Sequence, residues 1–97
     1  MAGVHFGAFE WDPAKNEANW EKHGIDFETA IEVFEGPYLR IPSDRNGEVR
    51  WIAVGSAAGP VVAVVCTERN ERTRIISARM ARTNERETYN KLCSDGS

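Results

Sequence analysis

Apolar residues change their spacing along this chain, and each change marks a structural element. Phe6 to Trp11 alternates weakly and predicts a short first strand. Asp12-Pro13 then opens a helix, with the aspartate as cap and the proline at the first helical position, where its missing N–H costs nothing. The helix is expected to run to about His23 and to stop at Gly24, the usual left-handed residue past a helix end. Asp26 opens a second helix, whose Phe27, Ala30, Ile31 and Phe34 fall at i, i+3, i+4 and i+7 as a buried stripe, and Gly36-Pro37 ends it.

From Tyr38 the helical spacing gives way to strands. Tyr38 to Ile41 predicts one strand, and Ser43-Asp44-Arg45-Asn46-Gly47 the turn after it, Asn-Gly being a strong hairpin signal. Glu48 to Ser56 is the next strand, and Ala57-Ala58-Gly59-Pro60 turns the chain into Val61 to Thr67, valine-rich and expected at the sheet centre. Glu68-Arg69-Asn70-Glu71 connects to a last strand, Arg72 to Ala78. A polar helix from about Ala81 to Leu92 follows, and the tail from Ser94 is expected to fray. The order β-α-α-β-β-β-β-α segregates helices from an antiparallel meander, which is an α+β domain.

Composition changes this picture little. With 97 residues, 41% hydrophobic and 28% charged, the chain reads as one folded domain, residues 1–97. Its longest apolar stretch, Val61 to Cys66, falls far short of the ~18 residues of a membrane helix. No basic-then-apolar leader opens the sequence, so a cytoplasmic location is expected. Cys66 and Cys93 fit neither a disulfide framework nor zinc spacing, and both are expected reduced.

Charge changes it more. The net charge of −3 divides into −6 over residues 1–35 and +3 over residues 36–97. Between Arg69 and Arg86 six arginines face only Glu71 and Glu85. Exposed charges beyond about 8–10 Å are largely screened, so a local basic patch can attract phosphate on an acidic protein. The same arginines can instead pair with the acidic N-terminal half.

Three blocks together resemble the BrnT family of toxins from bacterial type II toxin–antitoxin systems. The first is Phe9-Glu10-Trp11-Asp12-Pro13, with Lys15, Asn19, Lys22-His23-Gly24, Phe27, Ala30 and Phe34 after it. The second is Glu48-x-Arg50-Trp51 followed by Gly55, and the third Arg74-Ile75-Ile76-Ser77-Ala78-Arg79-x-Ala81 followed by Glu85 and Tyr89. The resemblance spans roughly residues 6–90. It implies a RelE-like fold and an RNA-cleaving toxin. It also implies neutralisation by a cognate ribbon-helix-helix (BrnA-like) antitoxin encoded beside it, with operator DNA reached only through that antitoxin.

Metal-free RNA cleavage needs a group to take the 2′-hydroxyl proton, a group to protonate the leaving 5′-oxygen, and cations on the phosphate. His5 and His23 are far apart and no cysteine pair adjoins either, so neither a metal nor another cofactor is expected. His23 is the mid-pH acid or base within a motif; its place at a helix C-terminus suits a general acid or phosphate clamp, with Lys22 adding charge. Lys-His-Gly is equally a plain helix stop. Arg50, Arg74 and Arg79 are the electrostatic candidates. Arg74 and Arg79 are five apart, so they share a face only if the strand bends or ends between them. Arg79 can also pair with Glu85 or with a carboxylate of the N-terminal half. Glu85, Tyr89 and Arg82 share one face of the last helix; Glu85 can be a base or a partner of Arg82 or Arg86, and Tyr89 can meet RNA or pack the helix. Arg74, Arg82 and Arg86 are the expected RNA-binding cations. Trp11, Trp20 and Trp51 read as core or interface anchors, and Ser77 as structural. The alternative function is a non-catalytic, toxin-like module that holds a DNA-binding partner.

Overall fold

The computed structural model describes residues 4–6 and 8–95, with side chains from Ala8 to Ser94. Its elements are β1 (Val4–Phe6), β2 (Phe9–Trp11), α1 (Pro13–His23), α2 (Phe27–Ala30), a 3₁₀ segment (Ile31–Glu35), β3 (Leu39–Pro42), β4 (Arg50–Ser56), β5 (Val61–Arg69), β6 (Arg72–Met80) and α3 (Thr83–Asp95). The architecture is α+β as expected. Among the described residues the sheet has six strands in the order β1-β2-β6-β5-β4-β3.

Helix α1 follows its sequence signals closely. Asp12 accepts a hydrogen bond from the Ala14 N–H at 2.9 Å, and Pro13 takes the first position. Gly24 ends the helix at φ +69°, its N–H bonded to the Trp20 carbonyl, a conformation a side chain would strain. Asp26 caps α2 by accepting from the Thr29 N–H. The expected helical stripe then changes period, because Gly36-Pro37 lies so close ahead that the chain tightens into the 3₁₀ segment. Three-residue spacing buries Phe27, Ala30 and Val33 completely and leaves Phe34 half-buried against Phe9 and Tyr38.

Three sequence expectations need correction. The first strand is a hairpin, β1 pairing antiparallel with β2 in the register Val4↔Trp11; Gly7, within the expected strand, lies outside the described residues. The sheet is mixed, because β2 pairs parallel with β6 (Phe9↔Thr73, Glu10↔Arg74). A meander fixes direction through short turns, but β2 and β6 are joined through residues 12–71, so no turn forces them antiparallel. Helix α3 extends past Leu92 to Asp95, so the tail expected to fray from Ser94 is helical there; Gly96 and Ser97 lie outside the described residues.

The strands bury one face thoroughly and the other in part. Trp51, Ala53, Val62, Val64, Cys66 and Ile75 point to the face covered by α1, α2 and the 3₁₀ segment. Gly55 permits that covering: a Cβ there would come within 2.9 Å of Val33 Cγ1 and 3.2 Å of Tyr38 Cβ. On the opposite face Val54 and Ala63 pack with Ala81 and Tyr89, so α3 covers only one end of it. The other end stays open.

Candidate functional site

Arginines gather on the open face, and strand register explains how. Arg50 pairs with Thr67, which pairs with Arg74, so these three side chains emerge on one face, the two arginines two strand spacings (about 10 Å) apart. Regular alternation would send Arg79 to the other face. A β-bulge intervenes: Cys66 pairs with Ile75 and Val65 with Ser77, which leaves Ile76 as the extra residue. Ser77 and Arg79 are thereby returned to the face of Arg74.

The open end forms a pocket of about 480 Å³. Ile52, Val65 and Ser77 floor it, with Ile76 beside them; Ser43, Asp44 and Arg45 wall one side, and Arg79 and Arg82 the other, with Arg50 at the start of β4. Four arginines from three parts of the chain thus face one cavity with Asp44 as its one lining carboxylate.

Two of these cations are held in place. Arg79 makes a two-pronged pair with Glu85, Nη1–Oε1 at 2.8 Å and Nη2–Oε2 at 3.0 Å. Glu85 also accepts from the Arg82 N–H at 2.8 Å, reaching back from the first turn of α3 as in a capping box. The hydrogen bonds from Arg79, together with that of Arg82 and both positive charges, hold the buried Glu85 carboxyl below the usual glutamate value. The same contact raises Arg79. Arg50 Nε donates to Glu48 Oε1 at 3.1 Å, which lowers the Glu48 carboxyl. Arg45 and Arg82 are exposed and, among the described residues, the guanidinium group of neither makes a salt bridge.

His23 and Lys22 lie on the other side of β6. With Lys15, Ala18 and Asn19 they line a groove of about 330 Å³, whose remaining wall is Ile76 and Ser77. Since Ile76 and Ser77 line the arginine pocket too, groove and pocket meet at the bulge. The remaining candidates point elsewhere. Arg74 Nη1 pairs with the buried Glu10 at 2.9 Å and does not line the pocket. Arg86 donates from Nη1 to the Ala81 carbonyl at 2.8 Å. Tyr89 packs against the sheet with Val54 and Ala63, and its phenol is raised by a hydrogen bond with Cys93 and by burial.

Sequence reasoning missed two residues of the site. Arg45 was hidden in the Asn-Gly turn, where polar residues are ordinary; Asn46 and Gly47 both take positive φ, and the turn carries Arg45 to the pocket. Asn19 is buried and bridges elements: Nδ2 donates to the Ile25 and Ala78 carbonyls, and Oδ1 accepts from the Ala78 N–H. It ties α1 to the edge of β6 beyond the reach of β2, which sets the groove's width. An asparagine among α1's polar residues gives no sign of this.

Among the described residues no three His, Cys, Asp or Glu side chains gather as metal ligands would. Both cysteines are free; Cys66 is fully buried, which pushes its thiol up to about 12. No described helix is long and apolar enough to cross a membrane.

Comparison with curated proteins gives no match. The family model for the ribonuclease toxin BrnT of type II toxin–antitoxin systems matches residues 11–85, from the end of β2 to the glutamate that holds Arg79. That span covers most of the chain, including α1, the arginine pocket and the groove beside it, and on this ground the protein belongs to the BrnT family of type II toxins.

Proposed function

We propose that this toxin cleaves single-stranded RNA without a metal ion, holding the scissile phosphate in the arginine pocket and drawing its acid from the adjoining groove, and that a ribbon-helix-helix antitoxin neutralises it. The observation that carries the reading is the convergence of Arg45, Arg50, Arg79 and Arg82 on one cavity. Guanidinium groups match phosphate oxygens in a two-pronged geometry and stay charged at every relevant pH.

In the reaction the 2′-oxygen attacks phosphorus as its proton passes to water, and the P–O5′ bond breaks as the 5′-oxygen takes up a proton. The products are a 2′,3′-cyclic phosphate and a 5′-hydroxyl. Arg82 and Arg45 offset the negative charge that builds on the phosphate, and Arg50 and Arg79 add their positive charge from fixed positions. His23, with Lys22 beside it, protonates the leaving oxygen across the bulge. Glu85 has both oxygens engaged by Arg79 and the Arg82 N–H, so its part is to hold Arg79 rather than to move a proton. Tyr89 anchors α3 to the sheet.

The test is cleavage of a mixed-sequence RNA at low salt in EDTA, without antitoxin. Cyclic-phosphate ends are expected, with rates lowered about 10²–10³-fold in His23→Ala and Arg79→Ala. Cleavage that persists at full rate in both variants would refute the site. A second reading, a toxin-like module that binds protein only, is favoured by the pairing of Arg50 and Arg79 with Glu48 and Glu85. Uncut RNA, alone and with ribosomes present, would decide for it.

A further inference from the structure

Three tryptophans look alike in sequence, and the fold uses them differently. Trp11 and Trp51 are 1% and 4% exposed, whereas Trp20, on α1, is 56% exposed. Met80, at the end of β6, is 49% exposed, and the two line one cleft of about 190 Å³. Ile25, Ala57, Pro60 and Val62 supply its apolar walls, and His23 and Asp26 stand at its rim. A large indole kept in water beside a methionine, over a preformed apolar cleft, has the makings of a binding anchor, since tryptophan is enriched where interfaces concentrate their energy.

The charge around the cleft specifies the occupant. Glu17 and Glu21 flank Trp20 on α1, and both are exposed. Beyond the rim, Glu28 is exposed and Glu32 reaches the cleft's Ala58, whose N–H it accepts at 3.1 Å. These acids belong to the half of the chain with net charge −6, and they repel RNA. They suit a basic polypeptide segment that carries an apolar side chain into the cleft. A type II toxin has one dedicated protein partner, its antitoxin.

We infer that the Trp20–Met80 cleft docks the antitoxin through such a basic, apolar-tipped segment, and that docking there covers His23. His23 lines this cleft and also the groove that meets the arginine pocket. A segment seated on Trp20 therefore closes the His23 end of the RNA path and leaves the arginines untouched. The inhibitory half of this inference rests on the ribonuclease reading; the docking half does not.

The experiment uses the full chain and the protein encoded by the adjacent reading frame. Calorimetric titration is expected to show Trp20→Ala binding at least 30-fold more weakly and Met80→Ala more weakly too, and stopped-flow mixing to show Glu17→Lys/Glu21→Lys associating more slowly at low salt. Both apolar side chains are about half exposed, so the variants should melt near the wild type and, without partner, cut RNA at the wild-type rate. Histidine acylation, mapped peptide by peptide, reports the second half: His23 reacts in the free toxin and is protected in the complex. Wild-type affinity in Trp20→Ala and Met80→Ala, or no binding by the wild type, overturns the docking site. His23 that reacts equally in free and bound toxin overturns the occlusion. A toxin that binds through the cleft yet cuts no RNA refutes the ribonuclease reading alone.

Discussion

Glu85 shows how one residue can serve structure and site together. Its carboxylate closes the first turn of α3 and fixes Arg79 at the pocket wall, and both contacts favour the charged form. Because its folded value lies below that of an unfolded glutamate (about 4.3), folding favours the ionised carboxylate. The resulting stability is fully present above that value and is lost as pH falls through the depressed folded one. Glu85→Gln should therefore be less stable than wild type at pH 7 by about 1.5–3 kcal/mol, the range for hydrogen bonds to charged groups. The gap should narrow below about pH 4.3 as the wild-type carboxyl protonates. Melting curves of both proteins from pH 7 to pH 3 check this, and a constant gap would show that the pair's charge contributes nothing. In sequence the Arg79–Glu85 pairing was one of several open readings, because spacing placed the residues near each other but not their side-chain directions. Asn19 was less legible still: its three bonds reach residues 6 and 59 positions away, and nothing local encodes them.

At the level of elements, caps and turns were readable because they are local. Asp12-Pro13, Gly24 and Asn46-Gly47 each act through neighbours within a few residues, and each does what its chemistry predicts. The parallel pairing of β2 with β6 and the bulge at Ile76 were not readable, since both depend on which distant strand lies alongside. The bulge matters most, because it alone lets Arg74 and Arg79 share a face. One turn departs from its ideal. The β5–β6 hairpin is closed by Asn70 and Glu71, both at positive φ (53° and 66°), which suits asparagine but strains glutamate. Glu71→Gly should relieve that strain and raise stability by about 0.5–1 kcal/mol, even after glycine's larger entropy loss. In a domain this size that is about 2–8 °C in Tm. Glu71→Ala keeps the strain and should give no gain, so a scan of the two variants separates backbone relief from loss of a charge among arginines.

For the whole molecule the decisive property is where charge lies rather than how much there is. A net charge of −3 suggests a poor ligand for RNA, yet the fold places seven of the eight acids of residues 1–35 in or at the caps of α1, α2 and the 3₁₀ segment over one sheet face and opens the arginine pocket on the other. The division into −6 and +3 halves was visible in the sequence; that the helical acids would lie across the sheet from the arginine pocket was not, because it depends on how the sheet is covered. Two consequences can be measured together. If Arg45, Arg50, Arg79 and Arg82 meet phosphates, log affinity for a short single strand should fall with log salt at a slope of about −2 to −3, from about −0.7 per contact. Arg82→Ala should lower that slope by about 0.7 without altering sequence preference, since a phosphate contact carries no base information. Arg40 provides the control: it stacks 4.0 Å over the Trp51 ring, whose side chain faces the helices, so Arg40→Ala should leave the slope unchanged. Equal loss in both variants would mean that RNA responds to total charge, and the pocket would lose its claim to the phosphate.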